Sequence, residues 1–181
     1  TRLVNIFTQM DKVLYASDGS SAVEIAMKLS YETRVLTAQS QRSKFLALKG
    51  GYHGETIFTL GVCGIPAYTQ NYAQLISQNY FINDIVYVES TQDPAWQSAP
   101  FNCTALEQFF ATHAGEISAL IIEPIVQGAA GLKIISRDYL LQLISIAKSY
   151  QIHIIADEIM VGLGRLGCFS VCREILNFEP D

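Results

Sequence analysis

Ile117-Ser118-Ala119-Leu120-Ile121-Ile122 runs without a charge into Glu123-Pro124, and Ile152-His153-Ile154-Ile155-Ala156 runs the same way into Asp157-Glu158. Neither stretch alternates apolar with polar residues, as a strand with one wet face would. Both read as strands of a sheet buried on two faces, and such a sheet needs helices on both sides. The segment between them supplies one. Ser136 or Asp138 opens an amphipathic helix through Leu140, Leu143, Ile144 and Ala147. Working outward, residues 44–48 (KFLAL) are a further strand and residues 85–88 (IVYV) return to strand character. Residues 12–16 (KVLYA) read as a short strand ended by Ser17, Asp18, Gly19 and Ser20. Residues 21–37 carry a helical pattern in which Val23, Ala26, Met27 and Ser30 share a face and Glu24 and Lys28 pair. Residues 63–84 are less regular, and Thr104-x-x-Glu107 is a capping box ahead of Phe109 and Phe110. Strands interleaved with helices predict an α/β layered domain with a mainly parallel sheet.

Composition narrows the function classes. The chain has 181 residues, half of them hydrophobic and 16% charged, against roughly 25% charged in ordinary soluble domains. It can bury a large core, so disorder is excluded. Twelve Lys and Arg against 17 Asp and Glu leave a net charge of −5. That spread-out acidic balance argues against nucleic acid and anionic membrane as partners. Glu123 interrupts the longest apolar run, so no membrane span is expected. Cys63, Cys103, Cys168 and Cys172, with His53, His113 and His153, show no CxxC, HxxxH or HExxH spacing, and no metal site is expected. Such sparse cysteines fit reduced thiols in a cytoplasmic compartment. Residues 1–10 lack a signal-peptide pattern and do not begin with Met, so a piece of a longer protein is expected.

The chemistry-bearing residues cluster just after strands, the edge where open α/β sheets bind ligands. Ser17-Asp18-Gly19-Ser20-Ser21 precedes a long helix, whose free N–H groups and dipole suit a phosphate; an ordinary N-cap is the plain alternative. In Gly50-Gly51-Tyr52-His53-Gly54, the glycines let an aromatic ring lie at the strand edge, able to stack on a flat cofactor or simply to pack, while His53 can hydrogen-bond nearby. Asp157 ends a buried strand and needs a partner: Mg²⁺, a protonated ring nitrogen or backbone N–H groups. The run resembles a Walker B strand, but the chain has no GxxxxGK[ST] and no GxGxxG, so neither an NTPase nor a dinucleotide-binding fold is supported. Glu123 closes its own strand beside this place, as an orienting residue or a loop cap. Arg165, in Gly162-x-Gly164-Arg165-x-Gly167, could hold a substrate carboxylate or a structural one such as Glu123.

In this order, SDGSSAVEIAMK, GGYHGET, IIEPIVQGAAG and IIADEIMVGLGRLG resemble the class III (ω-type) pyridoxal-phosphate aminotransferases of the fold-type I superfamily. The resemblance covers almost the whole chain and implies pyridoxal 5'-phosphate as cofactor. By motif, Gly19 and Ser20 would hold the phosphate, and Tyr52 would stack on the pyridine ring and border the substrate. Asp157 would pair with the ring nitrogen, Ile159 would pack on the other face, and Glu123 and Arg165 would be supporting polar residues. IIEPIVQGAAG and the YHGET…GVCG stretch look most like the branch that moves an amino group from S-adenosylmethionine to 8-amino-7-oxononanoate in biotin synthesis. Another ω-amino-acid or acylornithine aminotransferase, an aminomutase, or a non-catalytic cofactor-binding module are the alternatives. The resemblance also implies a homodimer and places the Schiff-base lysine beyond Pro180-Asp181. Residues 1–181 would then be part of a large domain without its N-terminal segment, its lysine strand or the small C-terminal domain, and inactive alone. Glu55 stands where many members would have Asp.

Overall fold

The computed structural model describes residues 6–7 and 10–181. Its strands are β1 (Lys44–Leu48), β2 (Tyr80–Ile82), β3 (Tyr87–Val88), β4 (Ile117–Ile122), β5 (Val126–Gln127), β6 (Lys133–Ile135) and β7 (His153–Ala156). Its α-helices are α1 (Gly19–Leu36), α2 (Ile57–Leu60), α3 (Pro66–Thr69), α4 (Cys103–His113), α5 (Arg137–Ser149) and α6 (Val171–Glu174). The main sheet is four-stranded in the order β2-β1-β4-β7, and every pairing in it is parallel. A small antiparallel sheet, β3-β6-β5, stands beside it.

The charge-free strands are what hold the layers together. All six residues of β4 are buried, and alternate side chains go to opposite faces, as the pleat requires. Ala119 and Ile121 join Phe45 and Ala47 of β1 under Val23 and Met27 of α1. Leu120 and Ile122 join Leu46 and Leu48 on the other face, under Phe110 of α4 and Leu140, Leu143 and Ile144 of α5. Each such Leu or Ile contributes about 1.5–3 kcal/mol by leaving water. Ser136 caps α5 by accepting from Tyr139 N.

Three expectations differ from what forms. Residues 12–16 pair with no described strand, and Leu14 and Tyr15 are exposed. Their apolar character resembled a strand, but a strand exists only through a neighbour's free N–H and C=O groups, and no described strand supplies them. Of residues 85–88 only Tyr87 and Val88 pair, antiparallel to Ile135 and Ile134. Helix α4 starts before Thr104, because Asn102 accepts from Thr104 N and outranks Thr as an N-cap.

Candidate active site

Parallel strands deliver their exit loops to one edge. The loops after β1, β4 and β7 meet the start of α1 there, around a cavity of about 400 Å³ lined by Gly19, Ser20, Tyr52, His53, Gly54, Glu123, Ala129, Asp157, Ile159 and Met160. Every residue expected to hold the cofactor borders this one space. Arg165 does not: it is exposed on the loop beyond it.

Asp157 is the first residue past β7, tied by its own N–H to Ile122 O at 2.8 Å, and is buried. His53 donates from Nδ1 to Asp157 Oδ2 at 2.9 Å, and Ile159 N donates to Oδ1 at 3.2 Å. A buried carboxylate without such donors would be strongly disfavoured. His53 is only 2% exposed, and its Nε2 has no partner among the described residues.

Glu123 is buried beside this pair. Its Oε1 accepts from Tyr52 N at 2.9 Å and its Oε2 from Gly128 N at 2.9 Å. Burial pushes its carboxyl above the usual range, the two N–H bonds and His53 oppose the rise, and Asp157 adds to it. Each oxygen thus has a backbone donor, and Arg165, read as able to hold a substrate carboxylate or a structural one such as Glu123, is not among the partners of Glu123. The physical reason is local: two main-chain donors lie within reach, and a loop arginine prefers water.

The Tyr52 hydroxyl donates to Glu55 at 2.9 Å, and its ring lies 5.0 Å from that of Tyr68. Burial first, then Glu55, pushes this phenol up to about 12, so it remains a neutral donor near pH 7. At the head of α1, Asp18 caps the helix by accepting from Ser21 N at 2.8 Å. Its hydrogen bonds to Ser21 and Ser17 keep it below the usual carboxylate range. The first-turn N–H groups of Gly19 and Ser20 have no carbonyl four residues back to bind. Gly54 sits at φ +117°, and a Cβ there would collide with Ser20, so only glycine permits the Tyr52 loop to close onto this turn.

Adjacent carboxylates take separate jobs. Asp157 faces the cavity, whereas Glu158 turns away to accept from Ser170 Oγ, Val171 N and Cys172 N at 2.8–3.0 Å. What the residue pattern left unassigned is the partner of His53, since the bond to Asp157 spans 104 positions. Its one signal was a histidine set between Tyr52 and a glycine. Ala129 and Met160 also line the cavity; they fall inside IIEPIVQGAAG and IIADEIMVGLGRLG, but as ordinary apolar residues they carry no role there. No helix among the described residues is long and apolar enough to cross a membrane.

The fold and this edge define a class. The chain belongs to the class III aminotransferases, whose family model matches residues 1–181. It is 40% identical over 176 residues to the adenosylmethionine-8-amino-7-oxononanoate aminotransferase of Helicobacter pylori, covering 96% of this chain and 38% of that protein. Against the enzyme of the same name from Staphylococcus aureus it is 32% identical, covering 96% and 39%. Among solved structures, the enzyme of that name from Methanocaldococcus jannaschii superposes with a TM-score of 0.84 at 28% identity, covering 99% of this chain and 39% of that one. An amine transaminase from an uncultivated Pseudomonas species, in its PLP-bound form, superposes at 0.87 with 34% identity, covering 99% and 41%. The chain therefore spans about two fifths of the length of the curated relatives it matches.

Proposed function

We propose that the intact protein binds pyridoxal 5'-phosphate in this cavity and transfers an amino group from S-adenosylmethionine to 8-amino-7-oxononanoate, giving 7,8-diaminononanoate for biotin synthesis. The observation that carries this reading is the buried Asp157 carboxylate, held by His53 and Ile159 N beside a cavity that the first turn of a helix also borders. A ligand with a cationic heteroaromatic nitrogen and a phosphate fits both ends at once. When bound, the cofactor supplies an electron sink for the amino-transfer chemistry.

The chain's own residues do the holding. Gly19 and Ser20 bind the phosphate through first-turn N–H groups and a hydroxyl. Tyr52 covers one face of the ring and borders the substrate, and Ile159 covers the other. Asp157 keeps the proton on the ring nitrogen, which favours the charged form by its own charge. His53 fixes the orientation of that carboxylate. Glu123 supports the loop carrying Tyr52. The names of the H. pylori and S. aureus relatives support the donor and acceptor.

Two further parts of the reading concern setting. The protein works as a homodimer, a reading supported by the apolar surface that Ile57, Tyr68, Tyr72 and Leu75 leave uncovered. It resides in the cytoplasm, where free thiols such as Cys63 and Cys172 persist. A second reading, transfer from a simple amine, is favoured by the closer superposition on the amine transaminase. Incubating the intact protein and 8-amino-7-oxononanoate with each donor in turn separates the two. Diaminononanoate formed with S-adenosylmethionine supports the first reading; transfer from simple amines with none from S-adenosylmethionine contradicts it.

A further inference from the structure

Segment 123–128, the loop after β4 together with the short strand β5 (Val126–Gln127), grips the Tyr52 segment at two points. Glu123 Oε1 takes the N–H of Tyr52, and four residues on, Gln127 Nε2 donates to Lys49 O at 3.1 Å. Both ends of the arch 49–52 are thus held by side chains of one segment. The Gln127 amide is itself oriented, because Tyr87 donates its hydroxyl to Oε1 at 2.7 Å. Gln127 is 1% exposed, so its two side-chain hydrogen bonds are not readily exchanged for water. Gly50, at φ +80°, presses on the same amide: a Cβ there would lie 3.1 Å from Gln127 Oε1.

Between the two gripping residues the backbone is strained. Ile125 has φ +70°, and Val126 N donates to Pro124 O at 2.9 Å, closing a three-residue turn around it. A β-branched residue with positive φ is a genuine outlier. Such a conformation persists only where its surroundings over-determine it. Here the turn reverses the chain so that Glu123 and Gln127 reach the same arch, while the Ile125 side chain is buried in the core.

We propose that segment 123–128 is a clamp that fixes the Tyr52 ring against the cofactor, with Glu123 and Gln127 as positioning residues and Tyr87 setting the Gln127 amide. The proposal rests on the cofactor reading above. Glu123 must accept twice, from Tyr52 and from Gly128, and a carboxylate does so whereas an amide turns a donor toward one of the two N–H groups.

The test is equilibrium dialysis of pyridoxal 5'-phosphate against the intact protein, alongside melting of the cofactor-free form. Glu123→Gln should weaken binding about 10-fold, since one buried N–H loses its acceptor. Tyr87→Phe removes only a hydroxyl from a partly exposed ring and should weaken binding about 3-fold, the Gln127 amide being free to turn over. Its cofactor-free melting temperature should stay at the parental value. If Glu123 acts through Tyr52, Glu123→Gln should add little in a Tyr52→Ala background. Parental affinity in both Glu123→Gln and Tyr87→Phe would overturn the clamp, as would the same loss from Glu123→Gln with and without Tyr52. A parent protein that binds no pyridoxal phosphate would overturn the cofactor reading and the clamp with it.

Discussion

The two ends of the parallel sheet bury polar groups in opposite ways. At the amino end, Arg34 is 5% exposed and its Nη2 donates to Ser118 O at 2.9 Å and Gln151 O at 2.7 Å. Ser30 Oγ lies 2.7 Å from Ser118 Oγ and 2.9 Å from His153 Nδ1. Apart from Arg34 Nε, which has no partner among the described residues, these groups are spent on one another and on main-chain carbonyls, and they tie α1 to the starts of β4 and β7. At the carboxyl end, Glu123 and Asp157 are buried as deeply, yet Asp157 borders a cavity and beside it His53 Nε2 is left unmatched. Desolvation is costly at both ends. A buried nitrogen is unmatched at each end, Arg34 Nε and His53 Nε2, but only the carboxyl-end cavity is bordered by two buried carboxylates and the first turn of α1 together, and that combination is the physical mark of the site.

The contrast can be broken by substitutions at either end. The largest effect should follow Asp157→Asn in the intact protein. Turnover should fall by about 100- to 1,000-fold, as when one preorganised electrostatic group is removed, with circular dichroism unchanged. A parental rate would reduce Asp157 to a strand-end carboxylate with a structural job. Arg34→Met should behave in the opposite sense. It leaves buried carbonyls unmatched and should lower stability in a urea titration by about 3 kcal/mol, while cofactor affinity per folded molecule stays parental.

The smallest effect is a pH slope. Burial holds the His153 imidazole below its ordinary value of 6.5, with Arg34 and then Arg42 adding to the depression and Asp181 opposing it. The folded state therefore takes up this proton less readily than the unfolded chain. Stability should decline as pH falls below 6.5 toward the depressed folded value, and be level above it, as far as this group is concerned. Thermal melts of parent and His153→Gln between these limits should show a shallower slope in the variant. Equal slopes would mean that the histidine titrates alike in both states.

How far the residues foretold all this depends on range. The strands β4 and β7 were legible because six or fewer adjacent residues carry the signal, and their burial on both faces follows from the lack of alternation. Gly19, Ser20, Tyr52, Glu123 and Asp157 were gathered by one rule, that each follows a strand or opens a helix on the ligand-binding edge. Residues 12–16 failed because apolar content does not supply a pairing partner. Charge alone left Arg165 open between a substrate carboxylate and a structural one such as Glu123, and the fold brings two backbone N–H groups to Glu123 instead. The bond from His53 to Asp157 and the strained turn at Ile125 depend on loops meeting across the sheet, and no local pattern encodes such meetings.

The central claim is that Asp157 faces a protonated ring nitrogen. Pyridoxal 5'-phosphate labelled with ¹⁵N in the ring, bound to the intact protein, reports this directly through the nitrogen chemical shift. The account predicts a pyridinium signal in the parent that persists above the pH at which the free cofactor loses its ring proton, and a neutral-pyridine signal in Asp157→Asn. A neutral ring nitrogen in the parent, or the same shift in both proteins, would contradict it.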